Sequence, residues 1–253
     1  MFSWRSLPHR PIVVAHRGAS AIAPENTLAA FQLALNAGAD AIELDIHLSS
    51  DNHVVVIHDS RLSRTSSGKG AVKNTSLKEL KRLSAGSWFH KKFTSEKIPT
   101  LSEVFELVRG RIGINVEIKT ERGRTQSGKI VERLIDVIHK FHATQCVLIS
   151  SFHHPYVEMA KQLDSTIATG TLYHPVHHLR KRFSTLATAT NADFFICDKH
   201  LLRAKAVKHL HDRQISIGVY VINSERSLNK FVKMGVDCVY TDDPEKILRA
   251  LNR

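Results

Sequence analysis

Four stretches near the start of the chain set titratable groups against apolar runs. Ile12-Val13-Val14-Ala15 leads straight into His16-Arg17-Gly18, and Pro24-Glu25-Asn26-Thr27 opens a helix-like segment. Ala41-Ile42-Glu43-Leu44-Asp45-Ile46-His47 carries two carboxylates inside an apolar strand, and Val54-Val55-Val56-Ile57 ends in His58-Asp59. A buried carboxylate is costly unless it is paired, hydrogen-bonded or bound to a metal. Strand side chains alternate faces, so Glu43, Asp45 and His47 point the same way. At ~3.3 Å per residue, Glu43 and Asp45 stand about 7 Å apart along the strand. Two carboxylates that close repel each other unless a cation lies between them, and oxygen ligands suit Mg²⁺ or Ca²⁺. A third carboxylate, Glu117, lies in Ile114-Asn115-Val116-Glu117-Ile118-Lys119. Any one of these acids could face solvent, or pair with Lys119 or Arg17; three together point to a site.

The elements that must position these groups alternate along the chain. Strands are expected at Pro11–Ala15, Ala39–His47, Gly113–Ile118, Cys146–Ser151, Thr166–Tyr173, Asp193–Cys197, Ser216–Ile222 and Asp237–Thr241. Helical spacing marks Leu28–Asn36, Gly128–Phe141, Pro155–Leu163, His200–Asp212, Ser224–Met234 and Pro244–Leu251, the last with Asp243 as cap and proline in the first turn. Such alternation implies a parallel sheet, and eight strands in this length fit an α/β (β/α)₈ TIM barrel. A doubly wound open sheet is the alternative, although it usually carries a glycine-rich phosphate loop and Gly18 alone is no such loop. Residues 1–253 are expected to form a single catalytic barrel domain. A small insertion at about 48–100, after the second strand, would cover the catalytic face. It holds a β run at Val54–Ile57, a polar stretch Ser60–Lys73, a helix-like Leu77–Leu83 and Trp88-Phe89. In a barrel, functional groups sit at the C-terminal ends of strands. His16-Arg17, then Glu43 and Asp45 ending strand two, Glu117 and Lys119, Ser150-Ser151-Phe152, Tyr220 and Asn223, and Thr241-Asp242 would all converge on one mouth.

Composition sets the outer bounds. Hydrophobic residues at 42% and charged residues at 24% are ordinary for a globular protein. The first ten residues contain no continuous apolar stretch of the signal-peptide kind, and no apolar run reaches the ~20 residues of a membrane span. Cytoplasmic residence is the expectation. Cys146, Cys197 and Cys238 are far apart and odd in number, and read as buried free thiols of a reducing compartment. The formal charge of +12 is spread along the chain, with short clusters only at Lys78–Arg82 and Arg180–Arg182. No nucleic-acid motif accompanies it, so a solvated basic surface is expected, with attraction of a phosphate-bearing substrate as a secondary effect.

Taken in order, His16-Arg17-Gly18, Pro24-Glu25-Asn26-Thr27, Glu43-x-Asp45, His58-Asp59 and Glu117-Ile118-Lys119 resemble the signature of the glycerophosphodiester phosphodiesterases. The likeness continues through Leu62-Ser63-Arg64-Thr65, Ile98-Pro99-Thr100-Leu101, Ser151-Phe152, Gly235-Val236-Asp237 and Thr241-Asp242-Asp243-Pro244, and covers nearly the whole chain. The resemblance implies metal-dependent hydrolysis of glycerophosphodiesters to an alcohol and sn-glycerol 3-phosphate. It implies Glu43, Asp45 and Glu117 as metal ligands for Mg²⁺ or Ca²⁺, and His16 and His58 as the acid–base pair. Arg17 and Lys119 would contact phosphate or substrate. Tyr220 and Asn223 would face the glycerol half, although Tyr220-Val221-Ile222-Asn223 stands where the family often has a tryptophan before its Asn.

These residue types suit that chemistry. A phosphodiester monoanion repels nucleophiles and has a poor leaving group; a divalent cation and an arginine offset the charge that develops. Histidines with pKa near 6.5 can take and give protons at neutral pH, and arginine binds phosphate through two parallel hydrogen bonds. The other histidines, His153-His154, His174, His177 and His178, match no metal-ligand spacing and are expected at surface or helix-start positions, with His153 or His174 the first candidates to reach the mouth. His47 shares the face of Glu43 and Asp45. The alcohol is expected to leave past Gly68–Gly70 and Trp88. The competing functions are a related barrel phosphodiesterase, of lysophospholipase D or phosphatidylinositol-specific phospholipase type, and a non-catalytic barrel binding protein. No nucleic-acid partner and no stable membrane insertion are expected.

Overall fold

The computed structural model describes residues 2–120, 128–174 and 189–253. His177, His178 and the Arg180–Arg182 cluster lie outside the described residues. The described strands are β1 (Ile12–His16), β2 (Ala41–Leu48), β3 (Val54–Val56), β4 (Gly113–Ile118), β5 (Val147–Ser151), β6 (Ala168–Tyr173), β7 (Phe194–Asp198), β8 (Ser216–Tyr220) and β9 (Cys238–Thr241). All except β3 run parallel in the order β1-β9-β8-β7-β6-β5-β4-β2, and β1 pairs back onto β2. The result is a closed eight-stranded TIM barrel. The described helices are α1 (Leu28–Asn36), α2 (Leu77–Leu80), α3 (Leu101–Val108), α4 (Lys129–Lys140), α5 (His154–Leu163), α6 (Ala204–His211), α7 (Glu225–Met234) and α8 (Pro244–Ala250).

Period-two alternation divides each strand between two cores. Val13, Phe195, Cys197, Ile217, Val219 and Val239 face outward and pack with Leu210, Leu228, Phe231 and Ile247 of the helices. Ile12, Val14, Ala41, Leu148, Phe194, Ile196, Cys238 and Tyr240 face inward and fill the barrel around Trp4. Continuing the inward rows toward the strand C-termini leads to His16, Glu43, Asp45 and Glu117. The same alternation that builds an apolar floor thus delivers the polar groups to the mouth.

Two expectations change. Glu43 and Asp45 do not end β2: the strand runs on to Leu48 because its last residues pair antiparallel with β3 (Ile46↔Val56, His47↔Val55, Leu48↔Val54). The two acids therefore sit mid-strand, level with His16 (paired with Glu43) and Glu117 (paired with Asp45). The sixth helix starts at Ala204 rather than His200, since the Asp198 carboxylate accepts the His200 N–H at 2.7 Å and turns the chain first. Helix α3 was not anticipated. Thr100 caps it and Glu103 reaches back to the Thr100 N–H, a capping box; Leu101, Val104, Phe105 and Val108 form its buried face. The insertion has its own small apolar cluster, with Val55, Ile57, Leu62, Val72, Leu80, Ala85 and Ile98.

Candidate active site

The loop after β1 is shaped by its backbone. Gly18 has φ +84°, and a Cβ there would come within 2.7 Å of the Ala30 backbone, so glycine is required. Arg17 and Asn26 both adopt left-handed φ of 58°, an uncommon conformation for residues with side chains. In that geometry the Arg17 N–H donates to Glu43 Oε2 at 2.9 Å. The Asn26 amide grips Asp45, donating to Oδ2 at 2.8 Å and accepting from the Asp45 N–H at 3.2 Å.

One oxygen from each of Glu43, Asp45 and Glu117 lies within 4.8 Å of the others. All three acids are buried. Burial and the adjacent Asp45 charge push the Glu43 carboxyl up from its ordinary value. Burial works to raise Asp45 as well, but Lys119 and Arg17 hold it well below the usual range. The Lys119 ammonium stands 3.1 Å from Asp45 Oδ1 and 2.5 Å from Glu117 Oε1, and Arg17 Nε stands 3.4 Å from Asp45 Oδ2. The pairing with Lys119 and Arg17 that the sequence left open is thus present together with the convergence of the acids. Asp45 Oδ1 is buried, and the Lys119 ammonium is the cation paired with it, with no aligned hydrogen bond between them. Three converging carboxylates, one oxygen of which lacks an aligned hydrogen bond, fit a hard divalent cation.

Both histidines flank this cluster, each fixed at Nδ1. His16 Nδ1 meets Asp242 Oδ1 at 2.7 Å and His58 Nδ1 meets Asp59 Oδ1 at 2.6 Å. A carboxylate only accepts, so Nδ1 carries the proton in each neutral ring and Nε2 is left for the site. Burial lowers His16, but the Asp242 hydrogen bond and the nearby Glu43 outweigh it and leave the pKa raised. For His58 burial prevails, aided by the Lys119 and Arg17 charges, and the pKa is lowered. Oppositely shifted neighbours are a usual sign of divided acid and base roles.

Asn223 does not stand free at the mouth. Its amide donates to Asp242 Oδ2 at 2.6 Å and accepts from Thr241 Oγ1 and the Asp242 N–H, both at 3.0 Å. Tyr220 does line the inner cavity, of about 370 Å³, with His16, Arg17, Glu43, Leu172 and Ile196; His174 reaches this cavity too. His153 instead packs edge-on against Tyr156, centroids 4.6 Å apart. A second, outer hollow of about 770 Å³ shares His58, Glu117, Lys119 and Phe152 with the first and extends along Ser60, Arg61, Ala71 and Lys73. Gly68–Gly70 and Trp88 border neither: a Cβ on Gly68 would meet Leu83, and Trp88 bonds the Ala85 carbonyl and packs on Phe89. His47 is buried, and its Nε2 lies 3.2 Å from the His58 carbonyl oxygen.

Sequence reasoning missed the supporting roles of Asp242, Asp59, Asn26, Glu25 and Arg64. The available signal was that Asp59 adjoins His58 and that the others lie in further motifs of the same resemblance.

Residues 16–246 match the Glycerophosphoryl diester phosphodiesterase family. A glycerophosphodiester phosphodiesterase of Caldanaerobacter subterraneus is 36% identical over 249 residues, covering 96% of this chain and 99% of that protein. One from Bacillus altitudinis is 35% identical, covering 94% and 96%. Among solved structures, an Oleispira antarctica phosphodiesterase in complex with the product sn-glycerol-3-phosphate superposes with a TM-score of 0.88 at 32% identity, over 96% of this chain and 97% of that one.

Proposed function

The chain belongs to the glycerophosphoryl diester phosphodiesterase family and is a phosphoric diester hydrolase; from that premise we propose that it cleaves glycerophosphodiesters at the Glu43–Asp45–Glu117 cluster. The products are sn-glycerol 3-phosphate and an alcohol. The observation that carries the proposal is the meeting of three buried carboxylates between two carboxylate-anchored histidines. The Oleispira relative, whose structure holds that glycerol phosphate, supports the choice of product.

Glu43, Asp45 and Glu117 would hold Mg²⁺ or Ca²⁺. When bound, the cation supplies charge to polarise the phosphoryl group. Arg17 and Lys119 bind the remaining phosphate oxygens and offset their charge. His16 and His58 carry the proton transfers, one taking a proton from the nucleophile and the other giving one to the leaving oxygen. The inner cavity takes the glycerol half, with Tyr220 as one wall, and Asn223 serves it by fixing Asp242. The larger outer hollow takes the alcohol, so varied alcohols are accepted. Residues 1–253 act as one catalytic domain whose insertion at about 48–100 borders the alcohol side. No described helix is long and apolar enough to cross a membrane. The buried free thiols Cys146, Cys197 and Cys238 suit a cytoplasmic, reducing setting.

A panel of glycerophosphodiesters assayed with and without chelator tests the proposal. EDTA should abolish release of sn-glycerol 3-phosphate, and Mg²⁺ or Ca²⁺ should restore it; full turnover in rigorously metal-free protein would overturn the metal assignment. Glycerophosphocholine and glycerophosphoethanolamine should give kcat/KM within roughly one order of magnitude. Bis(p-nitrophenyl) phosphate, which lacks glycerol, should be far poorer, because a site built to bond hydroxyls rejects analogues without them.

A further inference from the structure

We propose that Arg64, carried by the insertion, is a positioning residue that ties His58 and Arg17 into a single unit. This rests on the roles given above to those two residues. The Arg64 guanidinium forks twice. Its Nη1 and Nη2 donate to Glu25 Oε2 and Oε1 at 2.9 and 2.8 Å. Its Nε and Nη2 donate to Asp59 Oδ2 and Oδ1 at 2.7 and 2.9 Å. Each carboxylate holds one further partner on the catalytic side. Glu25 Oε1 also accepts from Arg17 Nη1 at 2.9 Å, and Asp59 Oδ1 takes the His58 Nδ1–H. The chain of contacts is Arg17–Glu25–Arg64–Asp59–His58, and it crosses from the loop after β1 to the start of the insertion.

The chemistry of the link is specific to arginine. Three nitrogens of one planar group make a two-point contact with each of two carboxylates; an ammonium can bridge two carboxylates, as Lys119 does, but cannot form two planar forks. Charge-assisted forks of this kind fix orientation as well as distance. Glu25 is thereby held where it aims the Arg17 guanidinium, and Asp59 where it fixes the His58 tautomer with Nε2 toward the site. Without Arg64, each acid would lose the anchor that holds it against its catalytic partner. The Arg64 side chain is 44% exposed, so small solutes can reach its place.

The test compares wild type with Arg64→Lys and Arg64→Ala, using glycerophosphocholine. Both variants should lose kcat by about 10- to 100-fold, the scale of a misplaced catalytic group, with melting temperatures near wild type. Guanidinium ion should partly restore Arg64→Ala, and equal ionic strength from NaCl should not. Arg64→Ala combined with Asp59→Asn should cost no more than the worse single change. Imidazole ¹⁵N NMR of His58 supplies a readout independent of turnover: the Nδ1–H form should give way to mixed tautomers in Arg64→Ala. Wild-type kcat in Arg64→Lys, additive losses in the double variant, or an unchanged His58 tautomer in Arg64→Ala would each overturn the proposal. A wild-type protein without phosphodiesterase activity would instead overturn the functional reading, and the NMR comparison would still decide the role of Arg64.

Discussion

At the scale of single residues, the site concentrates more negative charge than it can hold alone. Glu43 bears most of that conflict, since burial and Asp45 raise its pKa. The folded, metal-free protein therefore keeps a proton that the unfolded chain releases above its ordinary value of 4.5. Its contribution to stability is complete below that pH and is lost as pH rises toward the raised value. Melting temperature of the chelated protein should fall across this range more steeply than that of Glu43→Gln, and saturating Mg²⁺ should flatten the slope; parallel curves for the two proteins would refute the account. His16→Ala and His58→Ala should each lower kcat by about 10²–10⁴-fold with unchanged circular dichroism. Near wild-type turnover by either would remove that residue from the proton transfers. Asp242→Asn should also lower kcat, because an amide can present its NH₂ to Nδ1 and favour the wrong tautomer.

At the scale of elements, the barrel strands were readable because β-branched runs alternate with polar groups that have no reason to sit in a strand except to face a mouth. Helix α3 was equally written in the chain, in Thr100-x-x-Glu103 and the spacing of Leu101, Val104, Phe105 and Val108. It was hidden by its neighbour, an insertion whose short pieces have no regular period. The contacts of Arg64 and Asn223 were not readable, because they depend on where a loop lands across the barrel and not on local pattern. The capping box offers a clean check. Thr100→Ala should cost about 0.5–2 kcal/mol, a fall of a few degrees in melting temperature, with kcat unchanged. A matching loss of kcat would mean that α3 steers the insertion against the site. Lys81, which bonds both Glu103 and the Ile98 carbonyl, is the route by which it could do so.

At the scale of the whole molecule, the two ends of the barrel have separate duties. Trp4 is 1% exposed, donates Nε1–H to the Cys146 carbonyl at 2.9 Å and meets Phe194 edge-on. It plugs the end where strands begin, far from the acids. Trp4→Ala should cost about 3–5 kcal/mol, seen in urea unfolding, while kcat at low temperature stays near wild type. Equal loss of both would show that the plug and the mouth are coupled. The closing pair of the barrel has a different consequence. His16 and Asp242 touch across 226 positions of sequence, one on the first strand and the other just past the last. A loop that long is slow to close and earns its contacts late. During synthesis the chain must therefore emerge through Asp242 before His16 meets its partner, and in refolding experiments turnover should return only with the final, slowest phase. An enzyme assembled in this order stays silent until its last barrel strand has been made.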